Sequence, residues 1–186
     1  MDVDRSKNSF AGPRSRVFAF ALDYLLICGY ILVVTTISTF MIRGPLRQHT
    51  DSLFATPTRR DLIAFLTLIL PVTLYFTYCE SSHHQATWGK RKVGVFVTDR
   101  HGGRLSRSRA FARSALKFAP WQVAHTSLFH IPGWPLASTT VPPLAQGGLS
   151  VGMLTASAYL LSIIIDKQHR ALFDRVTGSM VLKKEP

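Results

Sequence analysis

Acidic residues and cysteines are scarce in this sequence. Its 186 residues include ten Asp and Glu against 22 Lys and Arg, so the formal net charge is +12. Charged residues make up 17% of the chain, whereas about 25% is typical of soluble domains. The low total argues against a soluble nucleic-acid-binding protein, although the basic excess alone would suit one. The two cysteines, Cys28 and Cys79, lie inside apolar runs, which argues against a disulfide framework.

Long apolar runs take the place of the missing charges. A bilayer is crossed by about 20 apolar residues, and three runs approach or exceed that length. They cover residues 17–42, 62–79 and 148–165. The first run carries one charge, Asp23, and is too long for the apolar part of a signal peptide, which has about 7–15 residues. Pro71 predicts a kink in the second run, and Gly148 and Gly152 in the third suit close helix packing.

The positions of the basic residues predict a fourth membrane segment. With three spans the basic tail would lie outside the cell, whereas Lys and Arg favour cytoplasmic loops. Residues 118–131 are mostly apolar, and the Pro-rich stretch 132–147 has no Lys or Arg. If 118–131 crosses the membrane, the N-terminus, the central loop and the tail all lie in the cytoplasm; a re-entrant segment is the open alternative. We expect this arrangement, with a break at Pro120.

The loop between the second and third segments is basic. Residues 92–105 alternate around the sequence VGVFV and turn at Gly102-Gly103, which predicts a short β-hairpin. A basic helix is predicted from about residue 106 to residue 118. Its cations are expected to meet lipid headgroups or a partner protein. The residues assigned to this contact are Lys90, Arg107 and Arg109.

These features predict an all-α membrane protein with three to four transmembrane helices and a short cytoplasmic β-hairpin. We divide the chain into a cytoplasmic N-terminal segment (1–16), a membrane domain (17–181) and a tail (182–186).

Three sequence blocks together resemble the RDD family of bacterial membrane proteins, which is named for one arginine and two aspartates. The first block has the pattern Arg-x-x-Ala-x-x-x-Asp, the second has Thr-x-Gly-Lys with a downstream Arg, and the third closes the membrane domain. A middle stretch resembles a subset of the family. The matching positions are Arg16, Ala19 and Asp23; Thr87, Gly89, Lys90, Gly94 and Arg113; Arg170, Asp174, Thr177 and Gly178; and, for the subset, Lys117, Pro120, Trp121 and His125.

The resemblance implies a bacterial inner-membrane location. It also implies a role proposed for the family, the transport of unknown ligands, with cation/proton exchange in some members.

Asp23 is the most unusual charge in the sequence because it lies within a span. A charged side chain at mid-helix costs about 2.5–3.5 kcal/mol on insertion scales, so something must offset it. One interpretation is a titratable site for a cation or proton, and the other is a packing ion pair with Arg113 or Lys90. Arg16 lies seven residues earlier on the same helix face, but we expect it to extend toward the headgroups.

Three further candidates have two interpretations each. Arg16 is either an anion contact or a cytoplasmic anchor and pair partner. Asp174 either relays ions or pins the tail to the loop cations. His125 is either a proton relay or a hydrogen-bonded packing residue.

Other chemistry is not expected. Cys79, Glu80, His83 and His84 have the side chains of metal ligands, but neighbouring histidines in a polar loop rarely converge on one ion. There is no catalytic triad and no phosphate-binding loop, so we expect no enzyme, no metal and no cofactor.

Two functional hypotheses follow. The first is a small cation/proton transporter that uses Asp23 and works as a homo-oligomer, because four segments enclose little volume. The second is a non-enzymatic scaffold or accessory subunit that binds anionic lipid or a membrane protein partner. Neither involves nucleic acid.

Overall fold

The structure is a computed structural model that describes residues 8–44, 54–134 and 140–184. Parts of the predicted N-terminal segment (1–7), of the Pro-rich loop (135–139) and of the tail (185–186) lie outside the described residues. The elements in chain order are β1 (Asn8–Phe10), α1 (Pro13–Arg43), α2 (Pro57–Ala64), a π-helix (Phe65–Ile69), α3 (Leu70–Ser81), α4 (Trp88–Val93), β2 (Val95–Asp99), α5 (Arg107–Phe129), α6 (Pro143–Ile165), α7 (Leu172–Thr177) and β3 (Ser179–Lys184).

Three helices in the described part of the chain are long and apolar enough to cross a membrane. They are Pro13–Arg43, Pro57–Ser81 and Pro143–Ile165, so the three predicted spans are confirmed, with longer bounds. The prediction of an all-α membrane protein with a small β element is confirmed as well. The helix α5 is not among the three, and the fourth membrane segment stays a prediction.

The predicted break at Pro120 is wrong, because α5 continues through it. Proline cannot donate a hydrogen bond to the carbonyl four residues earlier, which here belongs to Leu116. The Tyr159 hydroxyl donates to that carbonyl at 3.0 Å instead. A hydroxyl from another helix thus replaces the missing backbone donor, and the helix remains intact.

Pro71 is accommodated in a similar way. The carbonyl that it leaves without its usual donor belongs to Thr67, and the Tyr30 hydroxyl donates to it at 2.6 Å. The preceding turn widens into the π-helix Phe65–Ile69, as is common where a helix absorbs an irregularity.

The three strands form one antiparallel sheet in the order β1-β3-β2. The predicted strand around VGVFV exists as β2, but its partner is β3, with Val97 opposite Val181. It therefore does not pair with the residues that follow the Gly102-Gly103 turn. The N-terminal strand β1 pairs with the other edge of β3, so the tail is the central strand of the sheet.

The chain divides into two compact units. Unit 1 comprises residues 1–26, 72–117 and 156–186. Its apolar core joins the sheet to the helices, and the core residues are Ala11, Ala19, Val95, Val97, Leu105, Ala110 and Val181. In the tail, Ala171 and Met180 are buried, whereas Leu172 and Val176 are exposed.

Unit 2 comprises residues 27–71 and 118–155. Small residues of α6 meet α5 closely here, as predicted. A Cβ built on Gly152 would lie 3.0 Å from the Pro120 carbonyl oxygen, and one built on Gly148 would overlap the Ser127 hydroxyl. The absence of side chains at these positions lets the helix backbones approach each other.

Candidate functional site: a buried ion-pair network

Unit 1 contains a buried network of ion pairs that links five helices. Arg113 of α5 lies between two carboxylates: it pairs with Glu80 of α3 and, at 2.7 Å, with Asp174 of α7. Lys90 of α4 also pairs with Glu80, and Arg16 of α1 also pairs with Asp174. Glu80 and Asp174 are fully buried, and each is paired with two basic side chains. We call Arg16, Glu80, Lys90, Arg113 and Asp174 the ion-pair network.

Local structure holds Asp174 in place. It is the third residue of α7, and its carboxylate accepts a hydrogen bond at 3.1 Å from the Ala171 backbone N–H, which starts the helix. A carboxylate in the first turn also suits the helix dipole. Ser179, the first residue of β3, accepts a hydrogen bond from Arg113 Nε at 3.1 Å. The turn from α7 to β3 therefore presents its polar groups to one guanidinium.

The network sets the charge states of its members. Burial opposes ionisation of Asp174, but Arg113 and Arg16 outweigh it and lower the pKa of Asp174 to about 2. Burial also opposes the charge of Arg113, yet Asp174 and Glu80 raise its pKa above the usual value. Burial lowers the pKa of Lys90, with Glu80 acting against it. The contacts of Arg113 with Asp174 and Glu80 are therefore the firmly charged part of the network.

Asp23 has a different environment from Glu80 and Asp174. It is fully buried in α1. One of its oxygens accepts a hydrogen bond from the Thr87 hydroxyl at 2.5 Å, and the other accepts one from the Gly89 backbone N–H at 2.7 Å. Both donors are neutral, and within the described residues Asp23 forms no salt bridge.

Gly89 makes this contact possible. A Cβ built on it would lie 2.9 Å from Asp23 Cγ and would overlap the carbonyl oxygen of Ala19. Only glycine lets the start of α4 approach α1 so closely, and this approach delivers the backbone N–H to the carboxylate.

Sequence comparison places the chain in a known family. The family model described as RDD family matches residues 10–178. The chain belongs to the RDD family. No curated protein and no solved structure matches it.

The contacts in this RDD protein connect the three blocks that suggested the family. Arg16 of the first block pairs with Asp174 of the third. Asp23 of the first block binds Thr87 and Gly89 of the second. Each block thus supplies a partner that another block needs, which explains why blocks far apart in sequence belong to one site.

Several sequence predictions for the RDD protein need correction. The expected ion pair of Asp23 with Arg113 or Lys90 is wrong, because Glu80 and Asp174 occupy those cations. Lys90 does not contact lipid, since its side chain is 10% exposed and pairs with Glu80.

Arg16 does not extend outward, since its side chain is 9% exposed and pairs with Asp174 and the His169 carbonyl. Asp174 pins the tail to the loop cations, as one interpretation predicted. Arg107 and Arg109 are exposed, and their contacts stay predictions.

His125 lies elsewhere, in unit 2. Its ring meets the ring of Phe129 edge-on, with centroids 6.4 Å apart. Its Nδ1 has no hydrogen-bond partner in the described part of the chain, so the expectation of a hydrogen-bonded packing histidine is not met at that atom.

Glu80 is the member of the network that sequence reasoning missed. It was considered only as a metal ligand, together with Cys79, His83 and His84. The described residues contain no group of three His, Cys, Asp or Glu able to hold a metal ion. A usable signal was its position, since it is an acid at the end of an apolar run and is followed by a strongly basic loop. Asp23 shares its position in a candidate span with two other acids, because Asp61 and Glu80 lie in the helix Pro57–Ser81.

Proposed function

We propose that this RDD protein is a small cation/proton transporter of the inner membrane and that Asp23 carries the exchanged ion. The observation that supports this most directly is the setting of Asp23, a carboxylate buried in a membrane span and held by two neutral donors. Ionisable groups inside membrane spans commonly mark ion or proton pathways.

The three fully buried carboxylates of unit 1, Asp23, Glu80 and Asp174, differ in how easily they could exchange an ion. A cation or proton that bound Glu80 or Asp174 would have to displace a guanidinium or ammonium group from a buried contact, which is strongly unfavourable. At Asp23 it would replace only hydrogen bonds from Thr87 and Gly89. Asp23 is therefore the carboxylate where exchange has the lowest cost, and the ion-pair network is the rigid frame beside it.

Proton flux driven by a cation gradient in proteoliposomes tests the proposal. The informative variant is Asp23→Asn. The asparagine has nearly the same shape, its oxygen accepts from Gly89, and its amide donates to Thr87, whose hydroxyl also accepts. We expect a folded protein whose flux falls to that of empty liposomes, because the exchangeable charge is gone.

Asp99→Asn is the matched control, because Asp99 accepts only local hydrogen bonds from His101 and Gly103 in its own turn. This control should keep the wild-type flux. Wild-type flux equal to that of empty liposomes, or equal flux in wild type and Asp23→Asn, would refute the transport proposal.

We further propose that both termini lie in the cytoplasm and that residues 118–131, most of which belong to α5, form a fourth membrane segment. The pairing of β1 with β3 supports this, because Phe10 and Leu182 are partners in one sheet. Three crossings would put these strands on opposite sides of the bilayer, whereas four return the chain to its starting side. A cysteine near Arg104 should resist labelling from outside the cell, and one near Ser138, which lies outside the described residues, should be labelled. The reverse pattern would refute this orientation.

A transporter of this size would work as a homo-oligomer, since four segments enclose little volume. Cross-linking of the protein in its native membrane is expected to give a dimer or a larger species.

Anionic-lipid binding is a second candidate function, which a groove in unit 1 favours. The groove has a volume of about 570 Å³, and three basic residues, Arg100, His101 and Arg109, lie in its wall. Ala112 and Leu116 follow Arg109 on the same face of α5 and provide an apolar floor. A phosphate beside the cations and an acyl chain on the floor would match this lining.

Native mass spectrometry of the detergent-purified protein tests the groove. We expect Arg109→Gln to reduce the number of bound phosphatidylglycerol molecules. Arg91→Gln, which removes an exposed cation of α4 outside the groove lining, should leave the number unchanged. Equal binding in all three proteins would exclude the groove as a lipid site.

A further inference from the structure

A second carboxylate in a candidate span, Asp61 of α2, belongs to a polar cluster in unit 2. The Thr126 hydroxyl donates to one Asp61 oxygen at 2.9 Å, and Gln122 Nε2 donates to the other at 3.1 Å. Gln122 Nε2 also donates to the Thr126 oxygen at 3.0 Å. Gln122, His125 and Thr126 have the spacing i, i+3 and i+4, so they share one face of α5.

Two atoms of this cluster are buried without a hydrogen-bond partner among the described residues. They are Gln122 Oε1 and His125 Nδ1. His125 lies on the same face of α5 as Gln122 and Thr126, the two residues that contact Asp61. Buried polar atoms are nearly always paired in folded proteins, and an unpaired one in a polar site points to a water molecule or an ion.

The contacts that the described residues give Asp61 come from two neutral donors, Thr126 and Gln122. Its neighbour Arg60 is half-buried, and the Nε of Arg60 has no hydrogen-bond partner there. As at Asp23, neutral donors hold the carboxylate, and those donors can turn away without breaking an ion pair.

We propose that Asp61, Gln122, Thr126 and His125 form a binding site for a small monovalent cation. Asp61 supplies one negative charge, which matches one positive charge. Half a turn of the Gln122 amide presents Oε1 to the ion, and the Thr126 hydroxyl is a second neutral oxygen ligand. His125 Nδ1 accepts a hydrogen bond from a water molecule that the ion retains. Oxygen ligands of this kind suit hard cations.

The proposed cation site does not depend on the transport proposal. Its role in transport rests on the proposed function: Asp23 in unit 1 and Asp61 in unit 2 would then be two positions for the same ion along the transport cycle.

Sodium-dependent thermal stability of the detergent-purified full-length protein tests the site. Sodium chloride replaces N-methyl-D-glucamine chloride at constant ionic strength and constant pH. We expect the melting temperature of the wild type to rise with sodium and to saturate, since an ion that binds only the folded state stabilises it. Asp61→Asn should raise the sodium concentration for half-saturation by about tenfold or more, because the site loses its charge.

Further variants separate loss of the ion from loss of the fold. Gln122→Leu and Thr126→Val keep the Asp61 charge and each remove one oxygen ligand, so they should weaken sodium binding by a smaller factor. If Asp61→Asn does not fold, these two variants decide the question. Asp99→Asn, at the end of β2, is the matched control and should keep the wild-type sodium response.

Three outcomes would overturn the proposal. In the first, neither sodium, potassium nor lithium stabilises the wild type. In the second, the variants keep the wild-type sodium response. In the third, the melting temperature depends on pH but not on cation concentration. The last outcome would identify a proton site instead. Sodium binding that depends on Asp61 in a protein without flux would refute transport alone. Flux with an unchanged sodium response in the variants would refute this site alone.

Discussion

Replacement of Arg113 by methionine is expected to be the most damaging single change in the ion-pair network. Its side chain is 2% exposed and has bonds to two carboxylates and one hydroxyl. Arg113→Met leaves Glu80 with Lys90 as its only basic partner in the network, and Asp174 with Arg16. Removal of one member of a buried ion pair costs about 3–5 kcal/mol. Because each carboxylate keeps one cation, we expect the lower end, about 3 kcal/mol.

Arg113→Lys separates charge from geometry. The guanidinium reaches Asp174 with Nε at 2.8 Å while another nitrogen pairs with Glu80. An ammonium group is a compact point charge on a flexible stem and cannot form this fork. It retains one carboxylate contact and loses the other, so we expect a cost of about 1–2 kcal/mol, the value of one or two hydrogen bonds.

Thermal unfolding in detergent, followed by fluorescence-detected size-exclusion chromatography, measures both variants. For a chain of this length 1 kcal/mol corresponds to about 2–4 °C, so we expect Arg113→Met to melt about 6–12 °C below the wild type. Arg109→Met, exposed on the same helix, is the control and should melt within about 2 °C of it. A melting temperature of Arg113→Met equal to that of the control would refute the reasoning that Arg113 neutralises two buried carboxylates.

Three other changes have defined outcomes. Tyr159→Phe should lower the free energy of unfolding by about 1–2 kcal/mol, because it leaves the Leu116 carbonyl without a donor. In a Pro120→Ala background the backbone N–H is restored, so the same change should have almost no effect. A double-mutant cycle in which Tyr159→Phe costs the same in both backgrounds would contradict this account. Gly89→Ala should cost about 1–3 kcal/mol through overpacking against α1, whereas Gly147→Ala, with nothing within 4 Å of the added Cβ, should be neutral or stabilising in a denaturation assay. The pKa of Asp174 is lowered from 3.8 to about 2, so its contribution of about 2 kcal/mol is present above about pH 4 and is lost as the pH falls toward 2. Asp174→Asn should flatten that part of the stability–pH curve, and an unchanged curve would show that the carboxylate is not preferentially stabilised in the folded protein.

The membrane spans were predictable because their signal is local. A run such as 17–42 is recognised by its length and apolar composition, and neither depends on the partners of the run. The break predicted at Pro120 failed for the opposite reason. Whether a proline interrupts a helix depends on what else can donate to the freed carbonyl, and here the donor, Tyr159, lies 43 residues from Leu116 along the chain.

The small β-sheet shows the same difference between local signals and contacts across the fold. The alternation in VGVFV marked β2 as a strand, but its partner is set by contacts across the fold. The turn at Gly102-Gly103 suggested a local hairpin, whereas the structure pairs Val95 with Lys183 and Asp99 with Ser179. Burial of Val97 and Val181 in one core with α1 and α5 favours the distant partner.

The sequence by itself determined where the chain is apolar enough to enter a membrane, and that Asp23 needs a partner there. Only the tertiary structure decided which partners Asp23, Arg16 and Asp174 have. Arg16 and Asp174 are 158 positions apart, and Asp23 and Thr87 are 64 apart. At such separations nothing in local spacing distinguishes one cation from another. The close approach at Gly89 and the bridging guanidinium of Arg113 make the selection, because a buried charge is stable only where complementary groups meet it.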